Sequence, residues 1–241
     1  MKLVLMQPYF FPYIGYFQLM HLCDEFIVFD TVQYIKKGWI NRNRILHPTG
    51  HATYINVPIQ KFHTHTLIKD ILIDYKADWQ KSIIQRLHHY YKNAPYKEKV
   101  IAFVEDCFTE EFTSLSELNT HLLKKTCDYL NIKCRITTLS KADFEFQHAT
   151  APDEWGLNIC KALGAKTYIN APGGILFFDQ NKYAKQNIDI KFIQPILKPY
   201  VQRDGNFVPG LSILDVMMFN SVDDIQGMLE RYEEIQSLFT R

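Results

Sequence analysis

The chain has 241 residues, 47% apolar and 22% charged, with a formal net charge of +1. That length suits one large α/β domain or two small ones, with enough chain for a sizeable core, and the near-neutral balance excludes a global field built for nucleic acid or an anionic membrane. No apolar run approaches the roughly 20 residues of a spanning helix, and Met1-Lys2 leads straight into the short run Leu3–Met6, too brief for a secretory leader, so a cytoplasmic protein is expected.

Leu3–Met6 predicts a short buried strand that stops at Gln7-Pro8. An aromatic turn with proline and glycine follows, Tyr9-Phe10-Phe11-Pro12-Tyr13-Ile14-Gly15. Ile14–Cys23 predicts a helix, and Phe26–Phe29 a second buried strand with Asp30 at its carboxyl end. This strand–helix–strand start is what a parallel α/β sheet begins with. Asn41–Ile45 and Ala52–Val57 read as strands around Pro48-Thr49-Gly50, and Ile68–Ile73 as a further strand. Three helices follow, carried by Trp79–Tyr91, Val100–Cys107 and Leu115–Leu130, the last starting near Ser114 or Ser116. Lys133–Thr138 returns to strand. Asp153–Leu163 predicts a helix closed by Gly164, and Thr167–Asn170 a strand running into Ala171-Pro172-Gly173-Gly174. Ile188–Ile193 is a further strand. Ile225, Met228, Leu229, Tyr232, Ile235, Leu238 and Phe239 form one amphipathic helical pattern. The expectation is a single α/β domain over 1–241, with a parallel or mixed sheet whose strand–helix–strand start resembles a nucleotidylyltransferase or Rossmann-like one, and a mostly helical insertion at about 76–130.

The five cysteines are odd in number and scattered, with no Cys-x-x-Cys, so reduced, buried thiols are expected. His63-x-His65, expected on one side of a strand, and His88-His89 on a helix have no carboxylate motif beside them, so no metal is expected.

The polar chemistry concentrates near the N-terminus. Asn41-Arg42-Asn43-Arg44 alternates as a strand does, sending the two Asn one way and the two Arg the other. Arginine offers paired donors for phosphate or carboxylate, and Asp30, Gln33, Lys36 and Trp39 lie just before it. Gln7 and Asp30 follow buried strands, where open α/β sheets bind ligands; turn formation and helix capping are their plainer roles. Gly173-Gly174 could bring backbone N–H groups to an anion or only make a tight turn. Ser212 suits an N-cap with Asp215 at N3, whereas Tyr200 and Gln202 have no such local role and are placed at the cleft. Asp30, Lys36 and Arg42 are the candidate catalytic residues. Gln7, Tyr13, Gly15, Gln33, Trp39, Asn41, Asn43, Arg44, Gly173, Gly174, Tyr200, Gln202, Ser212 and Asp215 are the candidate binding residues. The expected partner is a small molecule bearing phosphate or carboxylate, not nucleic acid; the oligomeric state is not legible.

These segments together resemble the WbqC-like protein family. The residues that carry the likeness are Gln7–Pro12 with Gly15-Tyr16-Phe17, Asp30–Tyr34 with Lys36, Trp39 and Asn41–Ile45, then Trp79, Tyr91, Pro95-Tyr96 and Leu115–Asn119. Further on they are Ile159-Cys160-Lys161, Gly164-Ala165, Tyr168-Ile169-Asn170, Gly173-Gly174, Tyr200, Gln202 and Leu211–Asn220. The resemblance implies a cytosolic protein of bacterial surface-polysaccharide (O-antigen-type) biosynthesis acting on nucleotide-linked sugars. The activity it suggests is transfer of an acyl or aminoacyl group to a nucleotide-linked amino sugar. A non-catalytic sugar-nucleotide binder and a nucleotidylyltransferase relative using ATP or CTP stand as alternatives. The last rests on a lesser likeness to nucleotidylyltransferases and pantoate–amine ligases, in which Tyr13 and Tyr16 occupy the histidine positions of a His-x-Gly-His turn and Gly15 keeps its glycine. ATP is the one cofactor this likeness suggests, and none is assigned.

Overall fold

A computed structural model describes residues 1–203 and 206–235. Strand β1 (Lys2–Met6) pairs in parallel with β2 (Glu25–Val28) on one side, Val4 facing Phe26 in register. On its other side it pairs in parallel with β6 (Thr167–Asn170), Val4 facing Ile169. Both faces are covered, which is why these strands read as unbroken apolar runs rather than alternating ones. Alternation appears only in which core each side chain joins. Val4, Phe26 and Val28 enter the larger cluster, and Leu3, Leu5 and Ile27 the smaller one on the opposite face.

Helix α1 (Ile14–Leu22) links β1 to β2. The chain then builds an antiparallel hairpin, β3 (Arg42–Leu46) with β4 (Ala52–Asn56), before helices α2 (Trp79–Tyr90), α3 (Lys97–Cys107) and α4 (Leu115–Tyr129). Ser114 starts α4 with a reciprocal capping box to Glu117. Strand β5 (Arg135–Thr138) joins the main sheet beside β2. Helix α5 (Glu154–Leu163), closed by Gly164 at φ +67°, carries the chain to β6. Short α6 (Gln180–Ala184), β7 (Asp189–Pro195), α7 (Ile213–Phe219), α8 (Val222–Leu229) and β8 (Tyr232–Ile235) complete the described chain.

The main sheet is six-stranded, in the order β5-β2-β1-β6-β7-β8, parallel except for β8. The chain therefore steps outward from β1 through β2 to β5, then crosses to β6 and steps outward the other way. A crevice opens at the carboxyl ends of β1 and β6, where the direction reverses.

Three expectations are corrected. Ile68–Ile73 is a 3-10 turn at Ile68–Asp70 followed by isolated bridges at Leu72 and Ile73, because its apolar residues plug loops against α4 rather than joining a ladder. The pattern from Ile225 onward is helical only to Leu229; Tyr232–Ile235 pairs antiparallel with β7, so cross-strand pairing overrides the helical spacing, and Leu238 and Phe239 lie outside the described residues. His63 and His65 sit at a turn, not along a strand. All five cysteines are free thiols, four of them buried and Cys134 half-buried. Among the described residues no helix is long and apolar enough to cross a membrane, and no cluster of His, Cys, Asp or Glu is arranged to hold a metal ion.

Candidate functional site

Residues 8–13 cross the carboxyl end of β1 as an irregular turn. Phe10 and Phe11 bury their rings completely, and Phe11 takes φ +38°, a region that non-glycine residues enter only when their surroundings hold them there. The neighbouring amides supply that hold. Asn43 Nδ2 donates to the carbonyls of Phe10 (3.0 Å) and Phe11 (2.9 Å), and Ser212 Oγ donates to Phe11 as well (2.8 Å). Asn119 Nδ2 donates to Pro8 and Ile40 carbonyls at 2.9 and 2.7 Å. The Phe10 amide donates to Trp39 at 3.0 Å, and the Tyr16 hydroxyl to the Gln7 carbonyl at 2.7 Å. Asn41 is likewise engaged, accepting from Tyr34 and donating to Val57. Much of the polar density near the N-terminus thus fastens the aromatic turn instead of facing a ligand.

The turn divides the crevice into two lobes that share Met6 and Tyr9. The first, about 390 Å³, is lined by Tyr13, Trp39, Asn43, Arg44, Gly173 and Gly210 among others. The second, about 730 Å³, is lined by Gln7, Phe29, Trp155, Asn170, Phe177 and their neighbours. Gly15 shapes the first lobe without lining it: a Cβ there would stand 2.5 Å from the Tyr13 ring and 2.6 Å from Pro195. Gly174 is a packing glycine, its missing Cβ occupied by Asn170 at 2.7 Å, while Gly173 is open to the first lobe.

Their partners, not strand alternation, distinguish the two arginines. Both lie on the aromatic face of β3. Arg42 stacks over Tyr54 (4.3 Å to the ring centre) and donates to the carbonyls of Lys37 and Gly38. Arg44 stacks over Trp39 (5.3 Å), donates through Nη2 to the Gly210 carbonyl (3.2 Å) and lines the first lobe; its Nε has no partner among the described residues. Trp39 and Tyr54 stack on each other, so the two guanidiniums flank one aromatic pair. Arg44 is the one charged side chain among the described residues lining either lobe. The phenols beside it remain protonated donors at neutral pH: burial raises Tyr9, and burial together with the neighbouring Tyr9 raises Tyr13.

The remaining candidates lie elsewhere. Asp30 is buried and accepts from Ser116 Oγ (3.0 Å), Ser140 N (3.0 Å) and Ser140 Oγ (2.6 Å), on the wall of a separate cleft beside β2 and β5. Lys36 is exposed over the Phe62 ring, and the exposed Gln33 donates to Thr64. Ser212 caps α7. Asp215 does not complete a capping box; it is fully buried and accepts from Tyr91 (2.7 Å), Tyr200 (2.6 Å) and Gln202 (2.8 Å). Tyr200, Gln202, Ser212 and Asp215 therefore brace residues 200–202 and 208–212 against α7 and β3. Tyr9, Phe29, Trp155, Asn170 and Phe177 escaped the sequence reading as site residues. Asn170 alone carried a signal, since it ends a strand, but only the pairing of β6 with β1 brings it to the crevice.

A family model for the WbqC-like protein family matches residues 7–227. A protein of Mycobacterium tuberculosis described as "Uncharacterized protein Rv1507c" is 33% identical over 222 residues, which is 91% of this chain and 93% of that protein. No solved structure matches the chain.

Proposed function

The chain belongs to the WbqC-like protein family, and on that premise we propose that the two-lobed crevice binds a nucleotide-linked amino sugar and transfers an acyl or aminoacyl group to it. The setting is the cytoplasmic synthesis of bacterial surface-polysaccharide precursors, as the family resemblance implies. One observation carries the reading: Arg44, seated over Trp39, is the single charge among the described residues lining a crevice that lies where the strand order of the mainly parallel sheet reverses. A lone cation on a rigid platform selects an anion and gives it orientation.

In this reading Arg44 holds the phosphate and the Tyr13 hydroxyl donates to it or to a sugar oxygen. The sugar amine attacks the carbonyl of an activated acyl donor, and Arg44 stabilises the negative charge that develops on oxygen; collapse forms the amide, expels the donor's leaving group and passes the amine proton to that group or to solvent. Among the described residues no carboxylate lines either lobe, so in this reading the reaction relies on positioning and charge stabilisation, and Asp30, Lys36 and Arg42 take no part. The absence of a carboxylate base among the lining residues equally favours the second reading, a non-catalytic carrier of the same ligand. The ATP-using reading gains no support, because the Tyr16 hydroxyl is tied to the Gln7 carbonyl and the ring is 1% exposed.

Thermal-shift measurements against a panel of nucleotide sugars test the shared premise. Saturating ligand that binds only the folded state must raise the melting temperature. No shift with any member of the panel would sink the reading, and product formation from an aminated sugar nucleotide separates enzyme from carrier.

A further inference from the structure

We propose that the second lobe is a subsite for an uncharged planar heterocycle with a hydrogen-bonding edge: the base of the nucleotide whose phosphate lies at Arg44. The inference rests on the reading above and adds where the nucleoside sits.

The lobe has aromatic walls. Trp155 at the start of α5 lies 5.1 Å from Phe29, which follows β2, and Phe177 lies 4.7 Å from Phe178 on the other side. Phe177 is 57% exposed and Ile35 is 61% exposed, two apolar side chains left to water on the rim of a cavity. Such exposure marks a surface waiting for an apolar partner, and aromatic faces accept any base by stacking. None of the lining residues is Asp, Glu, Lys or Arg, so the occupant is neutral.

The amides distinguish a heterocycle from an acyl chain. Gln7 and Asn170 end the adjacent strands β1 and β6 and line the same lobe. Asn170 Oδ1 accepts from the Ala171 amide at 2.8 Å, which fixes the orientation of its NH2 group. That NH2 has no protein acceptor among the described residues, and neither does the side-chain amide of Gln7. A hydrocarbon chain would cover these groups and leave them unpaired, at a cost a donor–acceptor edge avoids. The lobes adjoin at Met6 and Tyr9, which puts the base subsite beside the anion site.

The test is calorimetric titration of the full chain with AMP, GMP, CMP and UMP, with ribose 5-phosphate as the same phosphate lacking a base and octanoate as an apolar anion. At least one nucleotide is expected to bind about tenfold tighter than ribose 5-phosphate. In Phe177→Ala, whose exposed side chain carries little of the fold, that advantage should vanish while ribose 5-phosphate binding persists. If nucleotides and ribose 5-phosphate bind alike and both weaken in Arg44→Gln, the base subsite is overturned and the anion site stands. Nucleotide binding that responds to Phe177→Ala but not to Arg44→Gln supports the base subsite and removes the anion site. Octanoate binding tighter than every nucleotide assigns the lobe to an acyl chain, and silence from all ligands overturns both ideas.

Discussion

The guanidinium of Arg44 lies over the indole of Trp39, 5.3 Å from the ring centre, and reaches the Gly210 carbonyl with one nitrogen. A charge held this way keeps its direction when a ligand arrives, because the ring restricts rotamers that a free arginine would sample. Cation–π contacts at partly exposed sites contribute about 0.5–1 kcal/mol. Trp39→Leu should therefore weaken binding of an anionic ligand a few-fold, without the larger loss expected on removing the charge. Calorimetry with a nucleotide sugar reads the difference; an unchanged Kd would show that the platform does not matter.

Asp215 gives a stability prediction with a defined pH sign. Its carboxylate is buried, and burial raises its pKa above the ordinary range despite hydrogen bonds from Tyr200, Tyr91 and Gln202 that pull it down. In the unfolded chain the group titrates near the usual carboxylate value. The folded state therefore binds a proton first as pH falls from neutral. Stability should rise through the raised pKa and level off below the ordinary one, and the same contribution is lost as pH rises again. Urea unfolding of Asp215→Asn against the parent should show the parent gaining on its variant between neutral pH and about pH 4. At pH 7, Asp215→Ala should cost roughly 2–4 kcal/mol, since it strips the acceptor from three buried donors.

Asn43 is predicted to matter for the turn, not for ligand hydroxyls. Asn43→Ala leaves the Phe10 and Phe11 carbonyls short of their donor and releases a backbone held at φ +38°, for a loss of about 1–3 kcal/mol. Asn43→Asp should be worse, because it turns acceptor oxygens toward two carbonyls. Denaturant midpoints check the order; Asp tolerated better than Ala would contradict it.

The parts of this architecture legible from residues alone were the local ones. The run Leu3–Met6, the Pro48–Gly50 turn, the Ser114 cap and Gly164 each carry their structural reason within a few positions. Pairings across the chain carry no such local mark. Nothing near Thr167–Asn170 says that it lies against β1, so the crevice between them, and with it Asn170, Trp155 and Phe177, stayed hidden. The same limit misassigned Tyr232–Ile235, where helical spacing gave way to pairing with β7. The N-terminal amides were visible, but their role depended on which carbonyls the fold brought to them. Alternation in β3 correctly separated Asn from Arg; only the position of Gly210 and the Trp39 ring distinguishes Arg44 from Arg42.

Asp30 tests that distinction between visible and useful. Its three hydrogen bonds from Ser116 and Ser140 tie the end of β2 to α4 and to the residues after β5. Asp30→Asn should lower stability by about 1–3 kcal/mol through mismatched donors, while nucleotide-sugar affinity measured below the unfolding transition stays within about twofold of the parent. A folded Asp30→Asn protein that binds normally but has lost all transfer activity would return Asp30 to the reaction.

The central claim is that Arg44, and not Arg42, receives the anion. Parallel titrations of Arg44→Gln and Arg42→Gln with one nucleotide sugar that binds the parent test it directly. The account predicts a loss of tenfold or more for Arg44→Gln, in line with about 1.5–3 kcal/mol for a hydrogen bond to a charged group, and little change for Arg42→Gln. Equal losses in the two variants, or a larger loss for Arg42→Gln, would contradict it.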